Sequence, residues 1–536
     1  MMSDKTTPDS PKTAKPVRRV VIVGGGAAGW LTAGVLAAEF QGNSAQPLHI
    51  TLVESPDVPI LGVGEGTWPS MRMTLQRIGI SEAEFIRTCD ASFKQGTRFV
   101  DWRAPNTQYL HPFSLPPEYS QLNLANFWLA ESQRGSQHLP AFAHSVTPQA
   151  AVIDAGRAPK QATTPEYAFN LNYGYHLNAG KFAELLRRHG VEALGVQHRL
   201  ARVTEVVSDP GGDVQALQLD TGEQLAGDLF IDCSGSRSLL IGEHFRTPFI
   251  SLKASLANDR ALAIGVPYAK ADAPIAPTTH STALSNGWVW DIGLQSRRGV
   301  GFVYASEFSG EGAACEQLAA YLTKTAPHIK INEQDFRQLK FNPGHYESFW
   351  VQNCVAVGMA AGFVEPLEAS ALALVEQSAA FIAEQLPSDS QKMAPVARRF
   401  NQKMRYHWQG IADFLKLHYV LNQRASSDYW RTMGDRQSCS AALADKLLLW
   451  EQQPPWHEDA PRIDELFPSA SYQFVLYGMG FMPQHLAATV SRPRLAAQWP
   501  RARQLMQDVH TKAVAMTQAL ETNRALLNKI TAKANS

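Results

Sequence analysis

Val20–Gly29 has the sequence VVIVGGGAAG, a β-branched run that passes directly into a glycine-rich turn. Gly24, Gly26 and Gly29 match the pattern G-x-G-x-x-G. In that pattern the first glycine permits a tight turn, the second lets a pyrophosphate approach the backbone, and the third lets a helix pack on the strand. Ala27-Ala28 falls in the first helical turn, where backbone amides face phosphate. The stretch therefore predicts a strand, a phosphate-binding turn and a helix.

The residues that follow complete a βαβ unit. The predicted helix extends through Ala38, His49–Val53 forms the second strand, and Glu54 ends that strand where a carboxylate can bind a ribose hydroxyl. Glycines also occur in ordinary surface turns, but the strand, the helix and the terminal acid together favour a dinucleotide site. FAD and NAD folds share this unit, so it does not decide between the two cofactors.

Two later segments favour FAD. Asp228–Ser236 and Cys354–Gly362, the second of which contains Gly358, each join a strand to a turn of small residues. Glycine-rich strand ends at three separate places indicate one large domain of the flavin monooxygenase type, assembled discontinuously. The predicted fold class is therefore α/β, with α+β character because a largely helical C-terminal part covers the substrate.

The composition limits the kinds of partner. The 536 residues include 49 Lys plus Arg and 49 Asp plus Glu, so no net charge attracts the protein to nucleic acid or an anionic membrane. No apolar run approaches the roughly 20 residues that cross a bilayer, and residues 1–17 lack the apolar core of a signal peptide. The five cysteines have neither metal nor disulfide spacing. We therefore expect a cytoplasmic protein without a structural metal, membrane contact or nucleic-acid partner.

Domain limits follow from changes in local composition. Three parts are predicted: a disordered tail at 1–16, a discontinuous FAD-binding domain with substrate-site insertions at 17–395, and a mainly helical C-terminal part at 396–536. Residues 105–165 lack clear periodicity, which is typical of an insertion that forms a lid. Tyr175–Arg188 and Gln498–Lys533 are each predicted as one amphipathic helix.

Two segments carry candidate residues that also have plain structural explanations. Leu61–Thr67 is apolar and glycine-rich with one acid, which fits either a loop with turns or a strap beside a flavin. Lys94 stands among aromatic and small residues. Such a lysine usually extends its ammonium group to the surface, so its position alone does not make it catalytic.

Two later segments are equally open to both explanations. Trp288 and Trp290 alternate along a strand and share one face, which fits ordinary sheet packing as well as a wall of a binding site. Glu365 and Glu368 flank a proline and precede a helix, where acids favour the helix dipole without any catalytic role.

Together the segments resemble the flavin-dependent tryptophan halogenase family. The resemblance covers roughly the first 370 residues and rests on five stretches in family order: Gly24–Trp30 (GGGAAGW), Gly62–Glu65 (GVGE), Ala91–Lys94 (ASFK), Trp288–Ile292 (WVWDI) and Phe363–Glu368 (FVEPLE). The first stretch occurs in many flavoproteins, whereas the lysine stretch and the tryptophan pair are much more specific. The resemblance implies that Lys94 is the active-site lysine and Glu368 its partner carboxylate.

The resemblance also implies the other site residues. Those implied for FAD are Gly24, Gly26, Ala27, Ala28, Gly29, Glu54, Gly64, Glu65, Gly358 and Leu367. Those implied for the substrate are His111, Phe113, Trp288, Trp290 and Glu365, and those for halide are Ser370 and Ala371. The implied cofactor is FAD reduced by a separate flavin reductase, with halide as co-substrate and a small aromatic molecule as substrate. A homodimer is compatible with the resemblance.

The family's chemistry explains why these residue types are needed. Hypohalous acid, formed from halide with reduced FAD and oxygen, must reach the substrate without meeting another nucleophile. An ammonium group such as that of Lys94 can donate a hydrogen bond to this acid or form a haloamine. The attacked ring becomes a cation, so a carboxylate such as Glu368 can stabilise it and accept its proton.

Departures from the family pattern make the substrate the least determined feature. Gly293 stands where the family has proline, and Ala369–Ala371 (ASA) stands where tryptophan-specific members typically have Ser-Thr-Gly. Glu465–Pro483 shows no matched set of partners for an amino acid, so an indole-type aromatic is expected rather than free tryptophan. A single-component aromatic hydroxylase is an alternative, although Met359 replaces its usual aspartate. A catalytically silent flavin-binding protein is another, although Lys94 and Glu368 are retained.

Overall fold

The computed structural model describes residues 14–43, 47–57, 64–135, 139–484 and 491–533. The strands are β1 Arg19–Val23, β2 His49–Glu54, β3 Gly64–Gly66, β4 Ser92–Lys94, β5 Gly96–Val100, β6 Gln108–Pro112, β7 Gly174–Asn178, β8 Gln197–Leu200, β9 Val203–Ser208, β10 Val214–Leu219, β11 Gln224–Ala226, β12 Leu229–Asp232, β13 Phe249–Ser251, β14 Arg260–Pro267, β15 Thr279–Leu284, β16 Gly287–Gly293, β17 Arg297–Tyr304, β18 Arg337–Lys340, β19 Gly344–Tyr346, β20 Trp350–Val351, β21 Cys354–Ala356 and β22 Gly362–Phe363. The α-helices are Ala27–Phe40, Ser70–Ile78, Glu82–Thr88, Leu124–Gln133, Phe142–Val146, Gln149–Asp154, Ala179–Glu192, Glu311–Thr325, Ser370–Glu384, Met393–Val420, Asp428–Met433, Ala441–Trp450, Ser469–Gly478, Pro493–Ala519 and Asn523–Lys533.

A six-stranded sheet in the order β20-β21-β12-β1-β2-β8 forms the centre of the fold. All its neighbouring strands are parallel except β20, which runs antiparallel to β21. Val20 to Ile22 are fully buried, as expected for a parallel strand covered on both faces. The three glycine-rich segments follow β1, β12 and β21, so they meet at one edge of the sheet. This arrangement confirms the predicted α/β class and the flavin-type sheet.

The helix Ala27–Phe40 follows β1 and packs against the helices Ala179–Glu192 and Ser370–Glu384. Its predicted end at Ala38 lies two residues before the observed one. Most of its residues are buried, including Trp30 with 1% of its surface exposed. The first βαβ unit therefore forms as predicted, with Glu54 at the end of β2.

A second, seven-stranded sheet has the order β18-β14-β17-β16-β15-β5-β6. Its strands are antiparallel except for the parallel pair of β15 and β5. A small antiparallel sheet, β3-β7-β4, carries Glu65 on β3 and Lys94 on β4. The tryptophan pair on β16 and His111 on β6 therefore belong to the same sheet, while Lys94 belongs to a neighbouring one.

Two predicted helices differ from the structure. Gly174–Asn178 is a strand paired with β3 and β4, and the helix begins only at Ala179, where the Asn178 side chain accepts hydrogen bonds from two backbone amides. Pairing with two strands outweighs the helical pattern of the local sequence. The long C-terminal helix is interrupted before Asn523, where Ala158 N donates to Glu521 O and the backbone stops following the helix.

The C-terminal helices pack on the N-terminal sheets. One hydrophobic cluster joins residues on both sides of position 395, including Val20, Phe99, Phe400 and Leu476. The predicted domain limit near 395 stays a prediction. The predicted tail falls mostly outside the described residues, although Lys15 N donates to Ser390 Oγ. Among the helices described, none is both long and apolar enough to cross a bilayer.

Candidate active site

A cleft of about 710 Å³ opens at the carboxyl edge of the parallel sheet. Predicted site residues that line it are Gly24, Gly26, Ala27, Ala28, Glu54, Glu65, Gly358, Glu365, Ser370 and Ala371. Gly24 has φ +120°, and a Cβ at that position would lie 2.1 Å from the Cys233 carbonyl oxygen. Only glycine fits such a turn. The cleft has the size and the strand-end position of a dinucleotide site. We call it the FAD cleft.

The FAD cleft offers groups suited to a pyrophosphate and a ribose. Gly26 is the N-cap of the first helix and supplies no side-chain cap, so the leading amides are left for phosphate oxygens. A Cβ on Gly29 would lie 1.9 Å from the Gly24 carbonyl oxygen, so the turn and helix make close backbone contact. Glu54 lies against Gly25 and its Oε2 is 3.0 Å from His198 Nε2. These residues fit FAD.

The other residues implied for FAD are distributed around the cleft. Glu65 lines it, and burial raises the pKa of its carboxyl group to about 7. Gly64 instead lies beside Ile292, and Leu367 is fully buried behind the cleft wall. Leu61–Val63, predicted as a strap or loop, lies outside the described residues.

Lys94 ends the strand β4 and is 1% exposed. A methyl group added to Gly66 would lie 3.1 Å from Lys94 Nζ and 3.3 Å from Ala369 Cβ, so the ammonium group lies close to the residue after Glu368. Its Nζ is 5.3 Å from the centre of the Phe113 ring, within cation–π distance. Burial lowers the pKa of Lys94 to about 8, although the Glu368 carboxylate opposes this shift. Lys94 is therefore buried and not a surface lysine.

Glu368 lies in a left-handed backbone conformation, φ +64°, between two helical turns. Its Oε1 is 2.7 Å from His111 Nδ1, and its Oε2 accepts a 3.3 Å hydrogen bond from Thr97 Oγ1. The Trp68 indole donates to its backbone carbonyl at 2.7 Å. Burial favours the neutral acid, but the hydrogen bonds and charges of His111 and His418 more than offset it, so the pKa of Glu368 is well below its usual range. Glu368 is therefore an anion held in a fixed orientation.

We call Lys94, His111, Phe113 and Glu368 the lysine site. Phe113 is half-buried, and His111 is 5% exposed with its Nε2 2.9 Å from Ser471 Oγ. The Ser469–Gly478 helix that carries Ser471 packs on the strand of His111. The structure thus brings Glu368 to three residues, Lys94, His111 and Phe113, that lie much earlier in the sequence.

One short segment connects the lysine site to the FAD cleft. Glu368 belongs to the lysine site, whereas Ser370 and Ala371, two and three residues later, line the FAD cleft. Glu368 and Ala369 both have positive φ, and the helix Ser370–Glu384 begins directly after them without a side-chain cap. Such a turn followed by a helix N-terminus presents backbone amides to an anion. The halide residues named from the sequence therefore lie on the FAD-cleft side of this segment.

The tryptophan pair has a different environment from the lysine site. The Trp288 indole donates a 2.6 Å hydrogen bond to Glu365 Oε2, which ties the strand β16 to the segment that lines the FAD cleft. The Trp290 ring covers Gly301 and lines a separate pocket of about 190 Å³ together with Gly64. Within the described part of the chain, the aromatic ring beside the Lys94 ammonium is that of Phe113. Trp288 therefore supports the wall of the FAD cleft, and Trp290 contributes to packing within its sheet.

Sequence reasoning missed several members of the site. Trp68, Thr97, Tyr109, His418 and Ser471 surround Glu368 or its histidine partners. Trp68 comes two residues after the glycine-rich GEG stretch, a position that could have been singled out. His418 and Ser471 lie on helices 50 and more positions downstream, where no spacing links them to Glu368.

The arrangement places a buried amine and a fixed carboxylate beside a cleft suited to a dinucleotide. The FAD cleft is lined by residues implied for FAD, and the helix that begins at Ser370 presents its leading amides there. A buried amine can bind an electrophile, and a fixed carboxylate can stabilise a cation and accept a proton.

Known proteins share both the sequence and the fold. A family model described as tryptophan halogenase matches residues 19–494. The crystal structure of a tryptophan halogenase from Shewanella frigidimarina NCIMB 400 has a TM-score of 0.91 and 46% identity, covering 96% of this chain and 98% of that chain. Tryptophan 7-halogenase RebH from Lentzea aerocolonigenes is 30% identical over 520 residues, which are 92% of this chain and 94% of RebH. Xcc4156, a flavin-dependent halogenase from Xanthomonas campestris, has a TM-score of 0.85 and 30% identity, covering 96% and 99% of the two chains.

Proposed function

The chain belongs to the tryptophan halogenase family, and we propose that it halogenates an electron-rich, indole-type aromatic through hypohalous acid guided by Lys94. The observation that carries this proposal is a buried lysine next to a fixed carboxylate, separated from the FAD cleft by one short segment. A purely structural lysine would not be expected there, because burial of an ammonium group without a dedicated ion pair is costly.

We propose that the FAD cleft takes reduced FAD from a separate reductase. Bound reduced FAD supplies, with oxygen and halide, the hypohalous acid that the protein must direct. Gly24 and Gly26 bring the backbone to the pyrophosphate, and Glu54 is available to the ribose. The sequence contains one G-x-G-x-x-G fingerprint, which FAD would occupy, and shows no second one for NAD(P)H.

The halide is proposed to bind at the N-terminus of the Ser370–Glu384 helix. Ser370 and Ala371 line the FAD cleft, and their amides lie at the N-terminal, positive end of the helix dipole, which favours negative charge. Because Glu368 and Ala369 take left-handed conformations, the chain turns sharply just before these amides. Halide bound there would lie on the cofactor side of the segment, next to the place where it is oxidised.

Lys94 is proposed to hold the electrophilic halogen in front of the aromatic ring. With a pKa of about 8, its side chain exists as both ammonium and amine near neutral pH. The ammonium form can donate a hydrogen bond to hypohalous acid, and the amine form can make a haloamine. Phe113 faces this group, so a flat substrate that stacks on Phe113 is also within reach of the halogen.

Glu368 is proposed to stabilise the ring cation and to accept its proton. Both interactions need an anion that does not rotate, which the hydrogen bonds to both carboxylate oxygens provide. Carbon–halogen bond formation makes the ring cationic, and loss of the ring proton to Glu368 restores aromaticity. As the carbon–halogen bond forms, the bond from halogen to the oxygen of hypohalous acid breaks, and the hydroxide that leaves is protonated to water. When a haloamine is the donor, the halogen–nitrogen bond breaks instead and Lys94 is left as the amine.

An indole without charged substituents is the proposed substrate class. The Ser469–Gly478 helix beside His111 contains no charged residue. Three of its polar side chains are already engaged, since Ser471 bonds to His111, Gln473 donates to Asn123 and Ser469 Oγ bonds to Tyr119. A free amino acid would have to desolvate its ammonium and carboxylate without partners, at about 1 to 3 kcal/mol each.

We therefore expect indole to be halogenated in preference to free tryptophan. Equal concentrations of the two compounds in one reaction with bromide and a supplied reductase, followed by mass spectrometry, measure the preference directly. Mainly bromoindole is the expected product. A predominance of bromotryptophan would mean that an amino-acid clamp exists which the helix does not reveal, and absence of both products would contradict the proposed function itself.

A further inference from the structure

His418 is a fully buried histidine on the helix Met393–Val420, far from Glu368 in sequence. Its ring stacks on Phe99 with centres 4.6 Å apart and meets Phe414 edge-on at 5.4 Å. These rings fix the plane of the imidazole. Burial lowers the pKa of His418, and the Glu368 carboxylate opposes this shift.

The neighbours of His418 determine where its neutral imidazole carries the proton. Its Nδ1 is 2.7 Å from the Tyr109 hydroxyl, and its Nε2 is 3.3 Å from Glu368 Oε1. Burial raises the pKa of Tyr109, so the phenol keeps its proton and can donate it to Nδ1. The imidazole proton then lies on Nε2, the nitrogen that faces the carboxylate.

His111, on the strand β6, contacts the same carboxylate oxygen of Glu368. Its Nδ1 is 2.7 Å from Glu368 Oε1, and Ser471 Oγ lies 2.9 Å from its Nε2. Two imidazoles thus converge on Oε1, each with a hydroxyl behind it. From the residues that the structure describes, Oε2 accepts only the 3.3 Å hydrogen bond from Thr97. Oε2 is therefore the oxygen left for the substrate.

We propose that His418, oriented by Tyr109, is a positioning residue that holds Glu368 as an anion with Oε2 directed at the substrate ring. This inference rests on the proposed halogenation, because it assigns a helper to the carboxylate of that reaction. His418 touches neither the substrate nor the cofactor. It acts only through Glu368, and its effect should therefore be kept by a replacement that still offers an N–H donor to that carboxylate.

The charge of the Glu368 carboxylate is set by the groups that face it. These groups are Lys94 on β4, Thr97 on β5, Tyr109 and His111 on β6, and His418 on the helix. The pKa of Glu368 is depressed in the folded protein, so the anion persists as the pH falls. Removal of one of its two imidazole partners raises that pKa, and the anion is then lost at a higher pH than in the wild type.

Two substitutions at His418 distinguish the effect of its N–H donor from that of its stacked aromatic ring. His418→Gln keeps an amide N–H that can reach Glu368, whereas His418→Phe keeps the stacked ring and removes both nitrogens. The measurement is the amount of halogenated indole formed per reduced FAD consumed, at neutral pH. For His418→Phe we expect this yield to fall by about tenfold or more, because Glu368 loses one of the two groups that orient it. His418→Gln should stay close to wild type, and FAD affinity should be unchanged in both.

Each remaining outcome is decisive. A wild-type yield in His418→Phe, or the same loss in His418→Gln, would overturn the positioning role, because a merely structural role would not be rescued by the donor that glutamine keeps. If His418→Phe does not fold, Tyr109→Phe replaces it. That variant removes the hydroxyl behind Nδ1, and an unchanged yield would again contradict the proposal. Absence of halogenated product from the wild type would instead contradict the proposed function.

Discussion

Lys94→Met is expected to abolish halogenation while FAD still binds and hydrogen peroxide still forms. Methionine has a similar length and fits a buried site, so the fold should be kept. It can neither donate a hydrogen bond to hypohalous acid nor form a haloamine. Lys94 belongs to the lysine site and does not line the FAD cleft. The flavin chemistry should therefore continue without transfer of halogen to the ring.

The measurement compares halogenated product and peroxide in the same reaction. Lys324→Met, which removes an exposed lysine at a helix end, is the matched control and should behave as wild type. Glu368→Gln should lose activity less completely than Lys94→Met, since the ring proton can still leave to solvent. If Lys94→Met kept more than about a tenth of the activity, corresponding to less than ~1.4 kcal/mol of lost transition-state stabilisation, the assigned role would be wrong.

Gly29→Ala should weaken FAD binding by at least about tenfold, equivalent to ~1.4 kcal/mol. The added Cβ would lie 1.9 Å from the Gly24 carbonyl oxygen. No change of rotamer can relieve this contact, because the backbone fixes the positions of both atoms. The phosphate-binding turn must then separate from its helix. The amides at the helix N-terminus would no longer face the pyrophosphate. Flavin fluorescence titration measures the change without any need for turnover.

Gly34→Ala on the same helix is the matched control. Its Cβ would lie 3.7 Å from Ile78, which is ordinary contact, and alanine favours a helix more than glycine does. FAD affinity should therefore be unchanged in Gly34→Ala. Equal affinities in the Gly29 and Gly34 variants would show that the close contact between turn and helix is not what shapes the FAD cleft.

The fold was predictable where the signals are local. The β-branched run before Gly24 and the two later strand-to-turn segments lie next to each other in the structure because parallel strands present their carboxyl ends at one edge. Another local signal is Ser81, which precedes an apolar segment with Glu84 three residues on; its side chain accepts a hydrogen bond from Glu84 N at 3.2 Å. The prediction of a helix beginning at Tyr175 was wrong because the decisive contact is not local. Tyr175 pairs with Phe93 on β4, and helical periodicity cannot reveal such a long-range pairing.

The site was less predictable than the fold. Lys94 and Glu368 came from a resemblance, since by composition alone each has an ordinary structural explanation. His418 and Ser471 carry no local pattern, and only the packing of two helices onto the β6 strand brings them to Glu368. Trp290 shows what a local pattern cannot predict. Its alternation with Trp288 indicates a shared face, but not that its ring would cover Gly301.

The segment Glu365–Ala371 connects the two halves of the proposed function. Glu365 is hydrogen-bonded to Trp288 and lines the FAD cleft, Glu368 belongs to the lysine site, and Ser370 returns to the cleft. Two consecutive left-handed residues make this path feasible within a few positions. In the proposed function, this segment would separate the flavin from the aromatic substrate.

The most direct test of the central claim supplies reduced FAD without a reductase. FAD is reduced chemically under anaerobic conditions and mixed with the protein, indole and bromide; oxygen is then admitted, and the product is analysed by mass spectrometry. A parallel reaction contains oxidised FAD and NADH instead. We expect bromoindole with the near-equal isotope pair of bromine in the first reaction and almost none in the second. Hydroxylated indole, or peroxide without bromoindole, in the first reaction would contradict the account, and equal bromination with NADH alone would contradict the need for a separate reductase.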